Sequence, residues 1–388
     1  MHLVEVTSPA TVRAFLDFPS TIYQQHPNWI RPLDKDIEQV FDQNLNPNFK
    51  NGSAIRWILQ DSQGKTIGRV AAFVNNKTKN ASEYVTGGMG FFECVEDQTA
   101  AFTLFDACKD WLMAQGMEAM DGPINFGERD RWWGLLVDGF TEPNYGMFYH
   151  PPYYQQLFEA YGFQVYFKQY TYQMNSFLPL NPKIMDRAAV VEQDPNYVVR
   201  HASMKNLKKV AQDFIEVYNK AWAGHSGASE IPFEKALKLM KTMKPVVEET
   251  LINFAYYKEQ PIAFFIILPE LNQIFKHLNG KFNLVAKLKF LYHKWRYSKR
   301  RDKKVFGLIF GVVPEFQGKG VESFIMKWSH QPIIDYGAPN LEMNWIGDFN
   351  PKMMLVTRML GASISKTHVT YRKIFDPTKP FTRYPIIK

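Results

Sequence analysis

Val312-Val313-Pro314-Glu315-Phe316-Gln317-Gly318-Lys319-Gly320-Val321 joins an apolar run to a helical pattern through a short turn with two glycines. Ahead of it, Val305 to Val313 is an apolar run of strand length that stops at Pro314. Behind it, Val321-Glu322-Ser323-Phe324-Ile325-Met326-Lys327-Trp328 carries its apolar residues at helical spacing. A strand, a glycine turn and a helix start leave main-chain N–H groups unpaired at the positive end of a helix dipole. That geometry holds a phosphate or pyrophosphate. Gly318 and Gly320 would let the backbone approach such an anion closely.

Outward from this turn the chain repeats itself. Ile55–Gln60 and Ile67–Val74 read as a hairpin, and so do Leu251–Tyr257 and Ile262–Ile267. Each hairpin is followed by a helical pattern that stops at a glycine, Ala100–Met113 before Gly116 and Val321–Tyr336 before Gly337. Pro332 predicts a kink or an early end in the latter. Short strands follow, Ala119–Asn125 and Leu341–Ile346, then helices ending at Gly162 and Gly361. A Thr-Tyr pair stands shortly after each of those glycines, Thr171-Tyr172 and Thr370-Tyr371.

Gln317-Gly318-Lys319-Gly320-Val321 resembles motif A of the GNAT N-acetyltransferase superfamily, Gln/Arg-x-x-Gly-x-Gly/Ala. Gln317 and Gly320 match; Glu322 stands where the family has Gly or Ala. Leu157-Phe158-Glu159-Ala160-Tyr161-Gly162-Phe163 is similar to the family's Leu-Tyr-Glu-Lys-Leu-Gly-Phe, and Asn350 through Ala362 resembles the same helix with its leading Asn. Gly90–Cys94, Gly134–Phe140 and Pro151–Tyr154 resemble a bacterial group of tandem GNAT-like proteins. The resemblance implies an α/β (α+β) chain of two GNAT-like domains, each a mixed, largely antiparallel sheet flanked by helices. The expected division is 1–177, a Pro-containing linker 178–193, and 194–388 with a basic insertion at 270–304.

The same resemblance implies a CoA-dependent N-acyltransferase, with acetyl-CoA or another acyl-CoA as co-substrate and a small-molecule or peptide amine as acceptor. The first half has Glu96-Asp97 where the glycine turn would be, so the cofactor is expected in the second half. There the amides of Gly318, Lys319, Gly320 and Val321 would face the pyrophosphate. Val312 and Val313 would end the strand edge that aligns the acyl arm, and Asn350 would support that arm. The family's tyrosine acid falls on Thr357, and in the first half on Phe158. Glu342 and Asp348 are candidate bases, His368 a further one, and Tyr371 the candidate acid. Period two puts Glu342 on one strand face with Asn344. Glu128, Arg129, Arg131 and Trp132 form a charged, aromatic stretch suited to a polar substrate. Two rivals remain: a non-catalytic GNAT-derived binding protein, and a tRNA-dependent aminoacyl transferase of the tandem-GNAT type.

Cys94 and Cys108 are the only cysteines and have no histidine cluster, which argues against zinc and fits a reducing cytoplasm. No apolar run reaches membrane-span length, and the N-terminus lacks a signal-peptide pattern. The net charge of +8 is local to the insertion. Between Lys276 and Lys304, Asp302 is the one acid among many Lys and Arg. Leu284, Leu288, Leu291 and Trp295 recur there at helical spacing with Lys between them, predicting a basic amphipathic helix over 281–301. An acidic partner, a membrane surface or a lid role suits it. No RNA-stacking pattern supports nucleic acid.

Overall fold

The computed structural model describes residues 1–222 and 230–387. Among them are thirteen strands: β1 (His2–Glu5), β2 (Gly52–Gln60), β3 (Thr66–Asn75), β4 (Thr86–Cys94), β5 (Ala119–Gly122), β6 (Leu135–Asp138), β7 (Gln164–Asn175), β8 (Tyr197–His201), β9 (Ile252–Tyr257), β10 (Gln260–Pro269), β11 (Lys304–Val312), β12 (Asn340–Gly347) and β13 (Ser363–Ile374). They join in one sheet in the order β1-β2-β3-β4-β5-β13-β7-β12-β11-β10-β9-β8, with β6 beside β13. Among the described residues only β4–β5 and β11–β12 pair in parallel. Helices pack on the sheet, so the mixed, largely antiparallel architecture expected from the sequence is the one observed.

The order contains an exchange. β13, the last strand of the second half, pairs with β5 of the first half, and β7, the last strand of the first, pairs with β12 of the second. The two then pair with each other from Ser363 to Arg372 against Gln173 to Gln164. β7 carries three Tyr with Phe, Val and Thr, and β13 carries two Ile and two Thr with Val and Tyr, residues that suit a pleated strand. Pairing them removes the exposed edge each half would otherwise carry. A cut at residue 177 therefore separates the halves of the sequence, while the sheet of each half is completed by a strand of the other.

Residues 178–193, read above as a linker, contain the helix Pro182–Val191. The Asn181 side chain caps it at Lys183 N and Pro182 takes its first position, where a missing N–H costs nothing. Its Ala188 and Val191 pack on Phe324. Helix Val321–Tyr336 runs on past Pro332 and ends at Gly337, whose φ of 82° is the left-handed cap that glycine tolerates. Among the described residues no helix is long and apolar enough to cross a membrane. Cys94 and Cys108 are buried and unbonded to each other.

Each parallel pair is short. Thr86–Gly88 run beside Ala119–Asp121, and Lys304–Gly307 beside Asn340–Met343; beyond those registers the strands separate. Each half thus has a notch between its splayed strands.

Candidate functional site

The two notches differ. In the first, the chain after β5 turns back into the gap. Ile124 N donates to Met89 O at 2.8 Å, and a Cβ on Gly90 would lie 1.8 Å from Ile124 O. Met89 through Cys94 are all buried. In the second notch, Leu308, Ile309 and Phe310 of β11 stay half-buried. At its vertex β12 carries a register shift, and Trp345 sits at φ 59° with its indole N–H buried and unpartnered among the described residues. A non-glycine residue held left-handed beside a strand irregularity is a strained position, and the first notch has one too, Phe91 at φ 52° in β4.

The glycine turn lies at the mouth of this second notch. Val312 and Val313 are buried, and Val313 N bonds Ile262 O. Gln317 turns back so that its Nε2 donates to Val312 O at 2.9 Å, bracing the turn on the strand end. Gly318 and Gly320 have φ of 71° and 90°, so both need glycine. A Cβ on Gly318 would meet nothing within 4 Å, whereas one on Gly320 would lie 3.1 Å from Arg187 O of the helix Pro182–Val191. Lys319 is exposed, with its ammonium 5.8 Å from the Phe316 ring centre, and Val321 is buried. Gly318 N donates to Glu322 Oε1 at 3.0 Å. Of the turn's amides, that of Gly318 is thus already taken, by the protein's own carboxylate.

Beneath the vertex lies a buried charged cluster drawn from both halves. Glu342 accepts from Lys366 Nζ at 2.8 and 2.9 Å, and its ion pair with Lys304 is 2.8 Å. Asn144 Nδ2, from the first half, donates to Glu342 at 2.7 Å and to Asn344 Oδ1 at 2.9 Å, so Glu342 and Asn344 share a face. Burial acts to raise the Glu342 carboxyl, but Lys304 and Lys366 outweigh it and hold it below the usual carboxylate range. With both oxygens engaged, Glu342 is a poor base.

Glu270 belongs to this cluster and was not among the sequence candidates. A lone acid after a strand carries no pattern; only the fold buries it. Its Oε1 accepts from Tyr145 N at 2.8 Å and Asn272 N at 2.9 Å, while Oε2 is buried without a partner among the described residues. Burial pushes its pKa up to about 7 against the opposing pull of Lys304. The folded protein thus holds this proton more tightly than the unfolded chain does. Its contribution to stability is complete below about pH 4.5 and is lost as the pH rises through about 7. Glu270→Gln, which mimics the protonated form, is expected to match the wild type near pH 4.5 in urea unfolding. By pH 8 it should exceed it by on the order of 3 kcal/mol. Parallel pH profiles for the two proteins would contradict this.

The remaining candidates sit as follows. Tyr371 does not enter the second notch. Strand exchange carries it into the core of the first half, where its hydroxyl donates to Glu159 at 3.0 Å and its ring packs on Phe158. The exchange brings Tyr172 to the second half in its place. Tyr172 pairs across from Met343, the last residue of β12 that pairs with β11, and lies on the sheet face opposite Glu342. It is 2% exposed, and its hydroxyl is buried without a partner among the described residues. Asp348 is ion-paired to Arg383. Asn350 accepts from Met353 N at 3.2 Å and so caps its own helix, and Thr357 bonds back to Met354 O. His368 is fully buried, donates through Nε2 to Phe148 O, and is kept neutral by burial at a pKa of about 4. In the charged stretch, Glu128 is exposed and Trp132 is a core residue against Phe91. Arg131 lies over Tyr145, and Arg129 stands 5.0 to 5.8 Å from the ring centres of Trp133, Phe167, Phe349 and Tyr384. That stretch seams the halves together rather than joining the Glu342 cluster.

No protein-family model matches the chain. A protein named bacterial ceramide synthase, from Caulobacter vibrioides, is 26% identical over 379 residues, covering 96% of this chain and 97% of that one. Protein YghO of Escherichia coli is 24% identical over 371 residues, covering 93% and 92%. Among solved structures, a tandem GNAT protein from the clavulanic acid biosynthesis pathway aligns at a TM-score of 0.55 with 10% identity, over 97% of this chain and 99% of that one. A GCN5-related glucosamine N-acetyltransferase region in a fungal multi-domain GH3 beta-N-acetylglucosaminidase aligns at 0.55 with 11% identity, over 96% of this chain and 38% of that one. Strand order, the paired notches and these likenesses agree: the chain has the tandem GNAT fold.

Proposed function

We propose that this chain is an N-acyltransferase that moves an acyl group from an acyl-CoA to the amine of a long-chain amino alcohol, working in the second notch. A ceramide is such an amide, and the chain is similar along nearly its whole length to a protein named for making one. The single observation that carries the reading is the half-open second notch with an anion-holding glycine turn at its mouth.

The Glu322 carboxylate stands in for a donor phosphate oxygen on the Gly318 amide. For an acyl-CoA to bind, Glu322 swings out and the diphosphate takes its place, with Lys319 beside it. The donor supplies the thioester. Leu308, Ile309 and Phe310 form an apolar wall for its arm. The amine nitrogen attacks the thioester carbon, the C–N bond forms and the C–S bond breaks. The amine proton leaves to water at the open notch, and the Tyr172 hydroxyl, beside Met343 at the vertex, protonates the departing thiolate. Holding both reactants at one vertex supplies much of the rate. The proton transfers add on the order of 10²–10⁴-fold.

Calorimetric titration with palmitoyl-CoA and acetyl-CoA tests the donor site. Glu322→Ala is expected to tighten palmitoyl-CoA binding about tenfold, the scale of one like-charge contact near a surface. Gly320→Val is expected to abolish it, because the left-handed turn is lost. No binding by the wild type or by Glu322→Ala would favour the second reading, a non-catalytic GNAT-derived protein in which Glu322 only braces the turn.

A further inference from the structure

The insertion helix Leu284–Ser298 faces the wrong way for a helix that merely packs on its own domain. At about 3.6 residues per turn, Leu284, Leu288, Leu291 and Trp295 fall on one line. That line points to solvent: the four side chains are 75%, 62%, 61% and 56% exposed. The helix is held to the protein by its opposite side, through Ala286, Phe290 and Tyr297. A contiguous apolar stripe of this size is uncommon on a lone soluble surface.

The charges around it are ordered. Lys287 and Lys294 flank the stripe on one side, Lys289 and Arg296 on the other. All four are exposed, Lys294 with its ammonium donating to Pro245 O, and no acid lies between Leu284 and Ser298. The Lys299 ammonium stands 4.0 Å over the Trp295 ring. An apolar strip with Trp in it and cations along both margins matches one environment, the boundary between acyl chains and anionic headgroups. Nucleic acid would meet the cations but offers no apolar depth for the leucines.

We infer that this helix docks the protein on an anionic lipid bilayer, with Leu284, Leu288, Leu291 and Trp295 seated among the acyl chains and the flanking lysines on the headgroups. This stands whether or not the chain transfers acyl groups, since it uses no residue of the notch.

Co-sedimentation with vesicles tests it, using the full chain and two lipid compositions: equal parts phosphatidylglycerol and phosphatidylcholine, or phosphatidylcholine alone. The wild type is expected to bind the mixed vesicles at least about tenfold more tightly than the neutral ones. The triple variant Leu288→Ser, Leu291→Ser, Trp295→Ser should lose about tenfold or more, as should Lys287→Glu with Lys289→Glu. All five side chains are exposed, so circular dichroism and thermal unfolding should match the wild type. Absence of binding to the mixed vesicles overturns the inference, and so does equal binding to both compositions. A wild-type dimer that the triple variant dissolves, without vesicle binding, assigns the stripe to a second copy and overturns it as well.

Discussion

Tyr172→Phe is expected to lower kcat by about two orders of magnitude, the low end of what a positioned proton donor contributes. Its urea unfolding midpoint should stay where it was. The hydroxyl is buried and bonds nothing among the described residues, so removing it strands no partner. The ring stays in the core beside Tyr170. A residue kept for packing alone would lose neither activity nor stability. Tyr371→Phe is the matched control. It deletes a hydroxyl that donates to Glu159, so it should cost about 1 kcal/mol of stability. It lies in the first half's core and should leave kcat alone. If instead kcat falls in Tyr371→Phe and holds in Tyr172→Phe, the proton donor is Tyr371 and the strand exchange does not serve the second notch.

Glu342→Ala is expected to cost about 3–5 kcal/mol, the cost of leaving a buried charge without its partner. Lys366 is 1% exposed and Lys304 14%, so water cannot compensate either ammonium well. Asn144 loses an acceptor at the same time. Typical domains have about 5–15 kcal/mol in all, so this single change removes a large part of the margin. Replacing Glu342 and Lys366 together by Met removes both charges of one pair and should recover part of the loss, since Lys304 is still left without its carboxylate. Equilibrium denaturation of the single and double variants checks this. A single variant as stable as the wild type would mean the cluster is hydrated and carries little of the fold.

The hairpins and the four glycine-ended helices were legible because each is local, set by a period of two or 3.6 and a punctuating glycine. The strand exchange was not. β7 and β13 have similar length and composition, and nothing nearby in sequence says which of the two notches each will serve. That one ambiguity is why the proposed proton donor is Tyr172 rather than Tyr371. Glu322 was visible as a departure from the motif, but its bond to Gly318 N depends on a rotamer. Glu270 gave no signal at all, since a carboxyl's burial is a tertiary property. The insertion helix was found from its spacing, but its apolar line reads the same whether it packs inward or outward. Only Ala286, Phe290 and Tyr297 on the far side decide that.

Incubating the purified protein with palmitoyl-CoA and a long-chain amino alcohol, and following free thiol and N-acyl amide together, tests the proposed transfer itself. One thiol is expected for each amide formed, with both rates falling together in Tyr172→Phe and in Gly320→Val. Neither thiol nor amide above the uncatalysed rate, or undiminished turnover in Gly320→Val, would contradict acyl transfer in the second notch.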